Sequence, residues 1–170
     1  MADANALAAA FTEYAIWSLN RSEVQIGHCL GRLSEEQMQQ RGGDHENSIV
    51  NLLLHLDGNI RQWVLHGVAG QEDVRQREQE FDLSPKLSGR EAFSQLQGTL
   101  AACREAFAAV SADRLLEIID PQPSGSYRFP TVMAASARAF GHLEYHTGQI
   151  ILLTKQIAAT DLDLTIPRKR

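Results

Sequence analysis

Cysteine is scarce in this 170-residue chain, and the two present, Cys29 and Cys103, stand far apart with no C-x-x-C spacing. That excludes a disulfide framework and a cysteine-based zinc site, and leaves two buried thiols as the expectation. Long hydrophobic runs are also missing: no apolar stretch approaches the roughly 20 residues that a membrane-spanning helix needs. The opening MADANALAAAF lacks the basic segment of a secretory signal, so the expectation is a soluble, cytoplasmic protein without a membrane partner. Positive charge is in deficit, with 16 Lys and Arg against 21 Asp and Glu for a net charge of -5. Phosphate backbones are bound by clustered Lys and Arg, so a general nucleic-acid binder is excluded. The one basic cluster, the terminal RKR, reads as a frayed tail. There is no glycine-rich phosphate loop, no G-x-S-x-G and no Cys–His nucleophile pair.

What remains is a chain that is 44% hydrophobic, enough for a real core, and the expectation is one domain over residues 1–170. Residues 4–33 carry no proline and are rich in Ala, Leu, Glu and Gln, which predicts a long first helix whose apolar stripe is blurred at Asn20, Arg21 and Ser22. Ser34 to Gln37 has capping-box spacing and predicts a short extra turn before the Gly42-Gly43 break. A second long helix is expected from Asn47 or Ser48 to about Gly67, with Ile49, Leu52, Leu53, Leu56, Ile60 and Trp63 on its core face. His55 falls at the edge of that stripe, roughly 110° from its centre, with Leu52 and Asn59 beside it.

Residues 68–87 are charged and poorly periodic and read as a connection longer than most in a helical bundle. Arg75, Arg77, Glu78 and Glu80 in it are candidates for orienting an anionic substrate. A third helix starts at Ser88, where Glu91 completes a capping box, and ends near Val110; SADRLLEII adds a short helical piece. PQPSGSYRFP is a turn-rich crossover, and from Thr131 to about Ala159 runs one last helix on the order of 40 Å long. Val132, Ser136, Ala139, Leu143, Ile150 and Ile157 define its buried face, His142 and His146 sit at one edge, and Arg138, Glu144, Tyr145 and Lys155 point away. Four main helices and no convincing strand predict an all-α four-helix bundle with short extra helical turns in its crossovers.

Ligand and metal sites in such bundles are built from side chains on facing helices, so the marginal histidines carry the chemistry. His142 and His146 are four apart and share a helical face, and His55 offers a third imidazole from the second helix. Three neutral nitrogens suit zinc, nickel or cobalt, and without a carboxylate in the set the ion's charge stays uncompensated, so it strongly acidifies what it binds. A zinc-protease motif is excluded: the residue after His142 is Leu143, and Glu144 lies roughly 160° from His146 around the helix. A di-iron site is excluded by the lack of paired Glu-x-x-His segments. Asn59 and Gln149 are candidate partners for holding a histidine tautomer. His28, His45 and His66 read as solvated or hydrogen-bonded side chains.

The segments SIVNLLLHLDGNIRQWV, QREQEF and GHLEYHTGQI resemble the DinB/YfiT-like metalloenzyme family, in particular an uncharacterised bacterial branch, over nearly the whole chain. The motif positions are His55, His142 and His146, with Gly148 and Gln149 after the pair. The resemblance implies an up-down-down-up bundle, a divalent metal, zinc or nickel foremost, held by that triad, and a homodimer. It also implies a transferase or isomerase using a low-molecular-weight thiol such as bacillithiol or mycothiol, acting on a small-molecule substrate. A strongly Lewis-acidic ion favours a thiolate, so the chemistry of the three histidines points the same way. Two other readings stand beside it: metal-assisted hydrolysis of a small molecule, and a non-catalytic bundle that binds a ligand or partner.

Overall fold

The computed structural model describes residues 3–119 and 129–164; their regular structure is helical, with one isolated bridge between Ile118 and Thr131 and no strand among the described residues. In chain order the helices are α1 (Ala4–Leu30), α2 (Glu35–Gln39), α3 (Ile49–Ile60), α4 (Gly89–Ala108), α5 (Ala112–Leu116) and α6 (Val132–Ala158). A π-helical turn (Arg61–His66) prolongs α3, and a 3₁₀ turn (Arg77–Phe81) interrupts the connection to α4. The crossover segment and the terminal RKR lie outside the described residues, apart from Phe129 and Pro130. No helix among the described residues is long and apolar enough to cross a membrane.

Local chemistry starts each helix. Asp3, Ser34, Ser48, Ser88, Ser111 and Thr131 each place a side-chain oxygen on a first-turn amide. At Ser34, Ser48 and Ser88 the bond is returned by Gln37, Asn51 and Glu91, completing capping boxes. Each such cap is worth about 1 kcal/mol and removes an otherwise unpaired amide. The box at Ser48 also ties α3 to the connection that follows it, because Asn51 Nδ2 donates to the carbonyls of Glu80 and Asp82, both at 3.0 Å.

Packing then follows the apolar stripes. Helix α1 lies against α6 and α4, and α3 lies against α4 and α6. Leu19 and Ile26 of α1, Leu53, Leu56 and Ile60 of α3, Leu96, Leu100 and Phe107 of α4, and Leu143 of α6 are fully buried between them. Each such side chain contributes about 1.5–3 kcal/mol relative to exposure. Helix α3 is buried nearly all round, so its polar residues need partners inside the protein. Asp57 shows how this is met: it accepts from Arg61 Nε at 3.1 Å, from Gln95 Nε2 at 2.6 Å, and from Thr99 Oγ1. Small α2 is pinned by buried Met38, which presses on Gly89, and by Glu35, which accepts the Gly89 amide at 2.8 Å.

One detail differs from the sequence expectation. Glu144 does not simply face water; it accepts a hydrogen bond from buried Ser18 of α1 at 2.8 Å, made across the seam between the two helices. In the 68–87 connection, whose charged sequence shows little periodicity, a 3₁₀ turn packs on α3 and buries Glu80.

Candidate metal centre

His55 comes from the middle of α3, and His142 and His146 from successive turns of α6, where the two helices face each other. One ring nitrogen from each of the three lies within 4.8 Å of the others. Ring centroids are 4.9 Å apart for His55 and His142, 4.9 Å for His55 and His146, and 4.4 Å for His142 and His146, all edge-on. His28, His45 and His66 lie outside this cluster; His66 Nδ1 meets the carbonyl of Gln71 at 2.7 Å and His45 is exposed beside Glu46.

Two of the three imidazoles have their tautomer fixed from behind. His55 Nδ1–H donates to Glu80 Oε2 at 2.7 Å, which leaves the Nε2 lone pair facing the cluster. His146 Nδ1–H donates to Gln149 Oε1 at 2.6 Å, again leaving Nε2 free. His142 Nε2 stands 2.8 Å from His55 Nε2, and as the latter must accept, His142 is the donor. A tetrahedral ion with Zn–N bonds near 2.0–2.1 Å separates its nitrogens by about 3.3 Å, so the His55–His142 pair, at 2.8 Å, would open by about half an ångström.

Burial, with nearby positive charge adding to it, favours the neutral form of His142 and His146, the form in which imidazole binds a metal. His142 is lowered to about 3, first by burial and then by the neighbouring His146, His55, Arg75 and Arg138. Burial also lowers His146, with His55 adding to it and the Gln149 bond opposing it. Glu80 balances two effects: burial raises its carboxyl, but the hydrogen bonds and charges of Arg75 and His55 outweigh this and hold it below the usual range.

Behind His55 stands a buried ion pair. Arg75 Nε donates to Glu80 Oε1 at 2.7 Å and an Nη to Oε2 at 2.8 Å, while the other Nη donates to Gln62 Oε1 at 2.6 Å. The two side chains are 6% and 7% exposed, and the charges of Arg75 and Glu80 are paired with each other, with Glu80 also bonded to His55. Arg77 and Glu78, in contrast, are exposed, with the Arg77 guanidinium 5.0 Å above the Phe81 ring. Phe81 in turn packs 5.0 Å from His55, and Tyr145 packs 5.0 Å from His146, so aromatic rings flank the cluster on both sides.

A pocket of about 620 Å³ opens between α3, α4 and the connection, lined by Gly58, Arg61, Arg75 and Glu80 among others, but by none of the three histidines. The ion pair therefore forms a wall shared by the pocket and the cluster.

Sequence reasoning did not find this ion pair as the support of His55. One signal was available: Gly58, three residues after His55 in mid-helix, where glycine costs about 1 kcal/mol relative to alanine. A Cβ there would overlap Glu80 Oε1 and lie 3.1 Å from Arg75 Nε, so the glycine makes room for the pair. Asn59, the other proposed tautomer holder, is buried but bonds none of the histidines, and its Oδ1 has no hydrogen-bond partner among the described residues. Gln149 holds the position expected of such a residue.

The donor set, three nitrogens with a carboxylate and an amide behind them, is one that divalent zinc, nickel or cobalt accepts. No curated protein matches the chain. Residues 6–170 match the family model described as a protein of unknown function, DUF1572, and the chain belongs to that family.

Proposed function

We propose that this protein is a divalent-metal-dependent enzyme, with His55, His142 and His146 as ligands and zinc or nickel as the ion, that transfers a low-molecular-weight thiol to a small electrophile. The observation that carries the metal site is the convergence of three ring nitrogens within 4.8 Å, two of them aimed by bonds from behind. When bound, the ion supplies Lewis acidity that lowers the pKa of a coordinated thiol or water. The chain's own part is positional. Ionised Glu80, kept so by Arg75, holds His55 with its Nε2 inward, as Gln149 holds His146. His142 must move its proton from Nε2 to Nδ1 to join them, a cheap tautomer exchange for a ring that is neutral well below physiological pH. Phe81 packs against His55, and Tyr145 against His146. The thiol reading rests on the DinB/YfiT-like resemblance, and it places the protein in the cytoplasm, where such thiols are abundant.

We further propose that α1, α3, α4 and α6 form a four-helix bundle in up-down-down-up order. The contacts that support it run in series. Phe11 meets Phe140 and Ser18 meets Glu144, so α1 and α6 advance together. Gly27 lies by Phe93 and Asn20 by Arg104, so α1 and α4 are opposed. Trp63 stacks under Arg138 and His55 meets His142, so α3 and α6 are opposed as well.

Incubating metal-loaded protein with a panel of thiols and electrophiles tests the reaction. Consumption of the electrophile only when thiol is present is expected. Turnover without any thiol would replace transfer with hydrolysis, and substoichiometric metal with no effect of His146→Ala would leave a non-catalytic bundle.

A further inference from the structure

The pocket of about 620 Å³ between α3, α4 and the connection carries charge that the fold does not use up. Its α3 side runs from Leu54 past Gly58 to Arg61, about 10 Å along the helix axis. Arg61 stands at one end, beside Val74 of the connection. Lys86 stands at the other: the carbonyl of Asp82 before it accepts from Asn51 in the first turn of α3, and that of Leu87 after it accepts from Gln39 of α2. Two of the acids in the lining are satisfied internally. Asp57 accepts from Arg61 Nε, Gln95 and Thr99, and Glu80 accepts from Arg75 and His55. The two end cations are not satisfied. Arg61 engages Asp57 through Nε alone, so both of its Nη groups lack a hydrogen bond among the described residues, and exposed Lys86 has neither an ion pair nor a hydrogen bond among them. Between the ends, Leu54, Pro85 and Leu87 offer apolar surface.

We propose that this pocket binds an elongated dianion, an α,ω-dicarboxylate or a molecule of the same chemistry, with one carboxylate on Arg61, the other on Lys86 and an apolar chain between them. A concave site of this size, mostly closed by protein and holding a few placed polar groups, is what small-molecule binding requires. The ends suit the ligand differently. A guanidinium with both Nη groups free meets a carboxylate through two parallel hydrogen bonds, whereas an ammonium on a flexible stem takes it from many directions. The span of about 10 Å set by the helix corresponds to a chain of about eight carbons. Exposed Asp82 is the one lining acid whose carboxylate has no donor among the described residues, and it repels a dianion at the Lys86 end. Because the wall of the pocket is the Arg75–Glu80 pair that supports His55, the ligand lies behind the three histidines without touching them. The proposal does not depend on an ion being bound there.

Isothermal titration calorimetry of the full chain at low salt, as purified and again after chelation, tests it with suberate, the shorter adipate, the monoanion octanoate and the neutral suberamide. Suberate should bind most tightly of the four, equally with and without chelator, and more weakly as salt is raised. Arg61→Gln should weaken suberate by about tenfold, since it removes hydrogen bonds to a charged group. Lys86→Ala should weaken it by about threefold, the effect of an exposed charge, and Asp82→Asn should strengthen it. Lys86 and the Asp82 carboxylate have no buried partner among the described residues, so these two variants read binding without a change in melting temperature. Absence of suberate binding, octanoate or suberamide binding as tightly as suberate, or affinity unchanged in both Arg61→Gln and Lys86→Ala would each overturn the proposal. Binding that disappears on chelation would place the dianion on a metal ion and overturn it as well.

Discussion

The two helices that supply the histidines support them in different ways. On α6, His146 is held by Gln149, three residues along the same helix, and His142 by burial against its neighbours. On α3, His55 is held by Glu80, which is 25 residues away in sequence, and Glu80 is held by Arg75. The first kind of support is written in local spacing. The second exists only once the connection has folded onto α3, and it places a charged pair where water is nearly absent. The α6 half should therefore tolerate damage to its support, while the α3 half should couple metal affinity to the stability of the fold.

Removing Glu80 tests that contrast most severely. Glu80→Ala leaves Arg75 buried without its carboxylate, and losing one partner of a buried pair costs about 3–5 kcal/mol. Urea denaturation should register that loss, and a chelator-competition titration should show zinc affinity down by about 10–100-fold. A variant as stable as the wild type would mean that the pair is not buried as described.

Gly58→Ala is the subtler attack on the same support. Alanine favours the helix by about 1 kcal/mol, but its methyl would displace Glu80, and overpacking of this kind costs about 1–3 kcal/mol. A net loss of stability together with weaker metal binding is expected; a simple gain in stability would show the close approach to be wrong. On the other helix, Gln149→Ala should lower metal affinity by about tenfold while changing stability by no more than about 1 kcal/mol. Affinity loss matched by an equal loss of stability would erase the distinction between the two halves.

Acidity provides the mildest probe. His142 and His146 both titrate lower in the folded protein than in the unfolded chain, where an imidazole takes its proton near 6.5. Below that pH the unfolded state binds more protons, so stability present at neutral pH is lost progressively as pH falls from 6.5 toward about 3. Glu80, also lowered, adds a loss of the same sign below its ordinary value of 4.5. The melting temperature of metal-free protein should thus fall with pH, and His142→Ala should flatten the part of the curve between 6.5 and 4.5. An unchanged slope in that variant would place the proton-linked groups elsewhere.

The same asymmetry governs how much could be read before the structure. Helix starts at Ser34, Ser48, Ser88 and Thr131 were legible because capping is a matter of three or four consecutive residues. The buried face of α6 was legible from periodicity, and with it the place of His142 and His146. The π-helical turn after Ile60 was not, because a single inserted residue barely disturbs an apolar stripe that is already buried all round. Glu80 and Arg75 were hidden among charged residues that composition alone assigns to solvent. Only the unexplained glycine at 58 marked, on the helix itself, the point at which the connection closes against it.

Whether three histidines from two differently supported helices hold one ion is most directly tested by elemental analysis of purified protein alongside anomalous diffraction at the absorption edge of the metal found. One equivalent of a divalent ion, with its anomalous peak between His55, His142 and His146, and its loss in His146→Ala, is the expected result. Full metal content retained in that variant, or a peak away from the three rings, would contradict it.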